Sequence, residues 1–184
     1  MSNSVSIQPV GNHVSRWGEG PRFWNNSLLY VDIEGHALIR LCLDPIHEDV
    51  WDVGERIGTV APTRDGSLLC AGDSGIFSFC LQGAEKKLLV DPESHKRPDN
   101  RFNDGLCDPS GRFWAGTMST TKQTGDASLY MLDHEGCLHK KIDHVTNSNG
   151  ICWNTTASLM YYIDTPTKKV LAYTFDNTTG NIGT

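Results

Sequence analysis

Six polar residues stand out by type and setting: Glu19 in Gly18-Glu19-Gly20-Pro21, then Arg101, Asn103 and Asp104 in Arg101-Phe102-Asn103-Asp104-Gly105, then Asn147 and Asn149 in Asn147-Ser148-Asn149-Gly150. Carboxylate and amide oxygens are hard donors. Gathered at one point they suit a divalent cation such as calcium better than copper or a zinc–thiolate site. Taken singly, each has a plainer reading. Glu19 reads equally as a solvated turn carboxylate, Asn149 as an asparagine chosen for turn geometry, and Asp104 as a cap bonding backbone N–H groups. Both bracketing segments read as bends, because Asn and Asp tolerate positive φ and Gly accepts it freely. Only convergence separates the two kinds of reading, and residues so far apart in sequence converge only if the fold gathers them.

The run after Gly105 reads strand, turn at Asp108-Pro109-Ser110-Gly111, strand, which places the polar cluster at the mouth of a hairpin. The layout recurs. The first residues after the inner turns, Leu28, Leu68, Phe113 and Leu159, lie about 40, 45 and 46 positions apart, the period of four-stranded propeller blades. No helical periodicity of useful length competes. The expectation is an all-β chain forming a single partial β-propeller domain, with blade-like copies near 14–58, 59–100, 101–145 and 146–184. The strand entering each copy should bring its first residues to a central channel, so that Glu19, Arg101, Asn103, Asp104, Asn147 and Asn149 meet there. Trp24, Trp114 and Trp153 flank the inner turns and read as blade-to-blade packing.

Composition narrows the partners. A hydrophobic content of 38%, a charged content of 21% and a formal net charge of −6 with no Lys or Arg cluster argue against nucleic acid and favour a small molecule or a metal. No apolar stretch approaches the ~18 residues of a spanning helix, so no membrane is expected. The start, Met1 to Pro9, lacks a basic stretch and an apolar stretch, which reads as a cytoplasmic location. The six cysteines show no C-x-x-C pair and read as buried, reduced thiols. The seven histidines lack metal-ligand spacing and read as surface residues.

In order and spacing, Gly18-Glu19-Gly20-Pro21, Leu29-Tyr30-Val31-Asp32-Ile33, Arg101-Phe102-Asn103-Asp104-Gly105 with Asp108-Pro109 through Ala115-Gly116-Thr117-Met118, Ser148-Asn149-Gly150 and Tyr161-Tyr162-Ile163-Asp164-Thr165 resemble the senescence marker protein, gluconolactonase and luciferin-regenerating enzyme family, which includes regucalcin. The resemblance runs over essentially the whole chain. It implies a six-bladed β-propeller holding one divalent cation in its channel, Ca²⁺ or Zn²⁺ with Mn²⁺ or Mg²⁺ as further candidates, and hydrolysis of a sugar lactone such as gluconolactone. It would make Glu19 and Asn149 metal ligands, and Arg101 and Asn103 the groups that hold substrate. The family's remaining ligand, an Asp in a Pro-Asp-Gly motif that also serves as general base, has no counterpart here, and Asp164 does not replace it. Ser119-Thr120-Thr121 stands where some members place an acidic substrate contact. The expectation is therefore the first four blades of a truncated chain, with the general base beyond Thr184 and no catalytic residue assigned. The function expected is a divalent-metal-dependent lactone hydrolase of the gluconolactonase type. The alternative is a non-catalytic calcium-binding regulatory protein of the regucalcin type.

Overall fold

The structure is a computed structural model that describes residues 5–183; residues 1–4, on which part of the leader expectation rests, and Thr184 lie outside it. Its strands form four four-stranded antiparallel sheets among the described residues. The first holds β1 (Gly18–Trp24), β2 (Ser27–Asp32), β3 (Ala37–Leu43) and β4 (Ile46–Asp52), and the second β5 (Ile57–Pro62), β6 (Leu68–Gly72), β7 (Gly75–Cys80) and β8 (Glu85–Val90). The third holds β9 (Asn100–Cys107), β10 (Phe113–Ser119), β11 (Ala127–Leu132) and β12 (Leu138–Val145), and the fourth β13 (Ser148–Trp153), β14 (Leu159–Asp164), β15 (Leu171–Asp176) and β16 (Asn181–Gly183). No helix of the described residues is long and apolar enough to cross a membrane.

Within each sheet every strand pairs with the next in sequence, and local turn chemistry sets that order. Asn25 and Asn26 both adopt positive φ between the paired Trp24 and Ser27, the geometry of a two-residue hairpin whose twist matches its strands. Other turns are closed by a side chain that accepts backbone N–H groups. Asp108 takes those of Ser110 and Arg112, both at 3.0 Å, and Asn154 takes those of Ser158 and Leu159 at 2.9 and 3.0 Å.

Each sheet has apolar side chains on both faces, so the core lies between sheets. Leu29, Val31 and Leu38 of the first pack with Ile57, Val60, Leu68 and Phe77 of the second. Ala61, Ala71 and Ile76 of the second meet Phe102, Phe113 and Tyr130 of the third. Trp114, Leu129 and Met131 of the third meet Met160, Tyr162 and Phe175 of the fourth. Trp114 and Trp153 meet edge-on with ring centroids 5.7 Å apart, and Phe175 closes the trio. Sheets stacked in chain order through both faces are the blades of a β-propeller-type fold, as the repeat period predicts.

Two expectations need correction. The segments 18–21 and 101–105 are not bends between strands; they lie inside β1 and β9 and run through to the strand ends. The cysteines are all free, but only Cys70 is fully buried, while Cys137 and Cys152 are exposed.

One clamp recurs at the mouth of every blade. The residue just past the second strand's end donates its N–H to a carbonyl just before the inner strand: Ile33 to Trp17 at 2.9 Å, Asp73 to Arg56 at 3.1 Å, Thr120 to Asp99 at 2.7 Å and Thr165 to Asn147 at 3.0 Å. In three blades a carboxylate reinforces it. Asp32 accepts the N–H groups of Arg16 and Trp17, Asp73 that of Arg56, and Asp164 those of Thr146 and Asn147. Burial opposes ionisation of Asp32, but the N–H groups of Trp17, Arg16 and Gly35 together with the His13 ring outweigh it and hold the carboxyl below its usual range.

A folded-state value below the unfolded one means that this stabilisation is complete above about pH 4 and is lost as pH falls through the folded value. Asp32→Asn should therefore destabilise the protein by about 1–3 kcal/mol at pH 7. Thermal melts of both forms from neutral pH to pH 3 should show the gap closing on the acid side, whereas a gap constant with pH would contradict the assignment.

Candidate functional site

Each inner strand carries an irregularity, near its start in β1 and β5 and further along in β9. Pairing shifts between Glu19 and Arg22 in β1, between Ile57 and Thr59 in β5, opposite Ala115 and Thr117 in β9, and between Asn149 and Ile151 in β13. Bulges of this kind bend a strand and re-aim its side chains. Gly20 and Gly150 sit in theirs at φ +61° and +47°, where a side chain would be strained.

Counting from the clamp sets the four blades in register. The clamped carbonyls belong to Trp17, Arg56, Asp99 and Asn147, and two residues further on stand Glu19, Gly58, Arg101 and Asn149. The sheet pairing agrees: Glu19 pairs with Val31, Arg101 with Met118 and Asn149 with Ile163, in each case two residues before the clamping residue. Three of the four residues marked for metal or substrate thus occupy one and the same step of three blades. The second blade contributes a glycine there, and a Cβ on Gly58 would overlap the backbone carbonyl of Asn103. Bare backbone at that point lets β5 and β9 approach closely.

Polar bonds stitch the inner strands together just beyond this step. Arg22 of β1 donates to the Val60 carbonyl at 2.9 Å, to the Thr59 hydroxyl at 3.3 Å and to the Gly105 carbonyl, so it spans β1, β5 and β9. Burial lowers its pKa, and the Asp104 carboxylate opposes that shift. Asp104 accepts the Gly105 N–H at 2.7 Å with one oxygen and the Gly150 N–H of β13 at 2.8 Å with the other. Arg22 was not singled out from the sequence. Its partners are backbone carbonyls and a common hydroxyl, which leave no pattern in side-chain types.

The four candidate residues are held as follows. Glu19 is half-buried and accepts the Trp17 indole N–H at 3.0 Å. It borders a cavity of about 330 Å³ lined by its own blade and by Val10. Arg101 is buried and donates through Nη1 to the Phe102 carbonyl at 2.8 Å and to Asn103 Oδ1 at 3.2 Å. Burial and then the Arg56 guanidinium lower its pKa, while the carboxylates of Asp73, Glu34 and Glu19 act in the opposite direction. Asn103 gives its two Nδ2 hydrogens to Asn147 Oδ1 at 3.2 Å and to the Ser148 carbonyl at 2.9 Å, so that only its Oδ1, which already accepts from Arg101, has a lone pair left for a ligand. Asn149 donates to the Thr165 hydroxyl at 3.2 Å, and its Oδ1 accepts the Gly150 N–H at 3.1 Å. The structure therefore joins Arg101, Asn103 and Asn147 in one hydrogen-bonded run. Glu19 and Asn149 share no hydrogen-bond partner with each other among the described contacts.

The donor set decides whether a cation is chemically reasonable. Glu19 and Asn149 offer one carboxylate and one amide carbonyl, hard oxygens of the type calcium takes. Among the described residues no three His, Cys, Asp or Glu side chains are grouped closely enough to hold a metal. The two residues fit a hard divalent cation in kind, and supply two of the roughly six to eight oxygens calcium gathers.

The model of the SMP-30/Gluconolactonase/LRE-like region matches residues 17–184. Bacillus subtilis YvrE, provisionally named a sugar lactone lactonase, is 34% identical over 178 residues, covering 90% of this chain and 57% of that protein. Regucalcin of Danio rerio is 32% identical over 185 residues, covering 98% and 62%. The solved structure of a calcium-binding regucalcin from Agrobacterium tumefaciens is 28% identical with a TM-score of 0.85, covering 91% of this chain and 57% of that one. A luciferin-regenerating enzyme shares the fold at 24% identity and a TM-score of 0.86, covering 92% and 59%. The chain thus spans about 57–62% of the length of these curated relatives.

The close approach at Gly58 makes a direct prediction. Gly58→Ala should cost about 1–3 kcal/mol by forcing β5 and β9 apart, and should displace the backbone of Asn103. A melting temperature equal to wild type, with unchanged Asn103 amide shifts, would show that the contact does not set the strand spacing.

Proposed function

The chain belongs to the SMP-30/gluconolactonase/LRE-like family, and from that premise we propose that it serves in a divalent-metal-dependent hydrolase that opens sugar lactones of the gluconolactone type. The observation that carries this reading is the shared step occupied by Glu19, Arg101 and Asn149 in three blades. Equivalent positions around a pseudo-symmetric stack face a common axis, and a carboxylate, a guanidinium and an amide are what a polar ligand and a cation together would need.

Glu19 and Asn149 would hold the cation. When bound, it supplies Lewis-acid polarisation of a carbonyl oxygen. Arg101, with one nitrogen spent on Asn103 and the Phe102 carbonyl, keeps its other N–H groups for the oxygens of a sugar ring. Asn103, locked to the fourth blade through its Nδ2, presents Oδ1 as an acceptor for a ring hydroxyl. Asp104 has both oxygens committed to backbone N–H groups and is not assigned as general base. No other residue of this chain is assigned that role.

A calcium-binding protein without turnover is the second reading, supported by relatives named regucalcin and by the Agrobacterium structure. Gluconolactone opening, measured on this chain and on a form covering the relatives' full length, separates the two. The hydrolase reading predicts turnover that chelator abolishes and Ca²⁺, Mn²⁺ or Zn²⁺ restores, with Glu19→Gln lowering kcat/KM by about 100-fold. Tight Ca²⁺ binding without turnover in either form would favour the second reading, and turnover indifferent to chelator would end both.

A further inference from the structure

We propose that Thr165 is a positioning residue for the site: its hydroxyl holds the Nδ2 end of the Asn149 amide, whose Oδ1 faces the Gly150 N–H, and so limits the motion of that Oδ1 beside the bulge. The inference rests on the reading of Asn149 as a cation ligand and adds a residue to it. An asparagine amide has two ends of nearly equal shape, and only one of them can bind a cation. Here the two ends are told apart by their partners. The Gly150 N–H, which also donates to Asp104 at 2.8 Å, lies 3.1 Å from one terminal atom, and because that N–H can only donate, the atom facing it is Oδ1. The other terminal atom is then Nδ2, which donates to Thr165 Oγ1 at 3.2 Å.

Thr165 is itself held in place. Its N–H donates to the Asn147 carbonyl at 3.0 Å, and its carbonyl accepts the Lys168 N–H at 3.2 Å. The preceding Asp164 accepts the N–H groups of Thr146 and Asn147 at 3.1 and 2.8 Å, and its carbonyl receives the Thr167 hydroxyl at 2.7 Å. The hydroxyl thus rides on the clamp that sets Asn147 and Asn149 at the mouth of the blade. At the same place the other blades carry Ile33, Asp73 and Thr120. Asp73 pairs with Arg56, and the Thr120 hydroxyl donates to the Asp99 carbonyl. Only in the fourth blade does this position meet the side chain at the shared step. Partners behind a metal ligand commonly change affinity by about 10–100-fold when removed.

Thr165 is exposed, so Thr165→Val removes the acceptor without disturbing a core. Amide NMR of the metal-free chain reads the orientation, and Mn²⁺ titration followed by electron paramagnetic resonance reads the affinity. The proposal expects a nuclear Overhauser contact from the Asn149 Nδ2 protons to Thr165 in wild type and Thr165→Ser, and a more mobile amide, held at Oδ1 alone, in Thr165→Val. It expects Mn²⁺ affinity about tenfold weaker in Thr165→Val and restored in Thr165→Ser, with unchanged melting temperatures. A Thr165→Val protein whose Asn149 amide stays fixed, or whose Mn²⁺ affinity equals wild type, overturns it. Should wild type bind no Mn²⁺, the cation reading falls by itself, and the amide measurement alone decides the role of Thr165.

Discussion

The guanidinium of Arg22 crosses from the first inner strand over the second to a backbone carbonyl of the third, and Asp104 carries the link on to the fourth. These bonds matter because the inner strands meet where blades converge and expose backbone groups to one another. Apolar packing, to which Ile57, Val60, Ala61 and Phe102 of the inner strands contribute, lies between blade faces. Near the axis, register must be kept by charge-assisted hydrogen bonds to backbone groups, which are stronger and more directional than neutral ones. An arginine with several donors in a fixed fork can span three strands at once, which a lysine's single ammonium cannot do. The buried charge is tolerable because Asp104 lies close enough to favour it.

That stitching gives the clamp and the bulge their consequence. The clamp fixes where each inner strand begins, and a bulge one to three residues later turns its side chains out of ordinary pleated alternation. The clamp recurs in all four blades, so the residue two positions beyond it holds an equivalent place in each of them. The four blades place a carboxylate, a glycine, a guanidinium and an amide at that step in turn, the glycine being the one that the strand spacing itself demands. The charged form of Arg101 is disfavoured by burial and by Arg56, and favoured by Asp73, Glu34 and Glu19.

Much of this was legible in the sequence. Turn residues at Asn25-Asn26, Asp108 to Gly111 and Asn154 close hairpins by local chemistry, so the period of the copies could be counted from them. Glu19 and Asn149 adjoin glycines, and Arg101 and Asn103 stand in the run that ends at Gly105, so polar groups next to bend-forming residues mark all four in the sequence. The segment 18–21 reads as a bend because a glycine at positive φ has the same local signature in a bulge, and 101–105 because Asn-Asp-Gly is turn-forming in type although none of the three adopts positive φ here; only strand pairing tells the settings apart. Arg22 and Gly58 left no signal at all. One binds mainly backbone carbonyls, and the other matters for the side chain it lacks, so both become visible only when two distant strands are seen together.

Crystals of the protein grown with Mn²⁺ and measured at the manganese absorption edge test the central claim most directly. The account predicts one anomalous peak within roughly 2.0–2.6 Å of both a Glu19 carboxylate oxygen and Asn149 Oδ1, the range of oxygen ligation for hard divalent ions. A peak elsewhere on the surface, or Glu19 and Asn149 facing separate spaces with no metal between them, would contradict it.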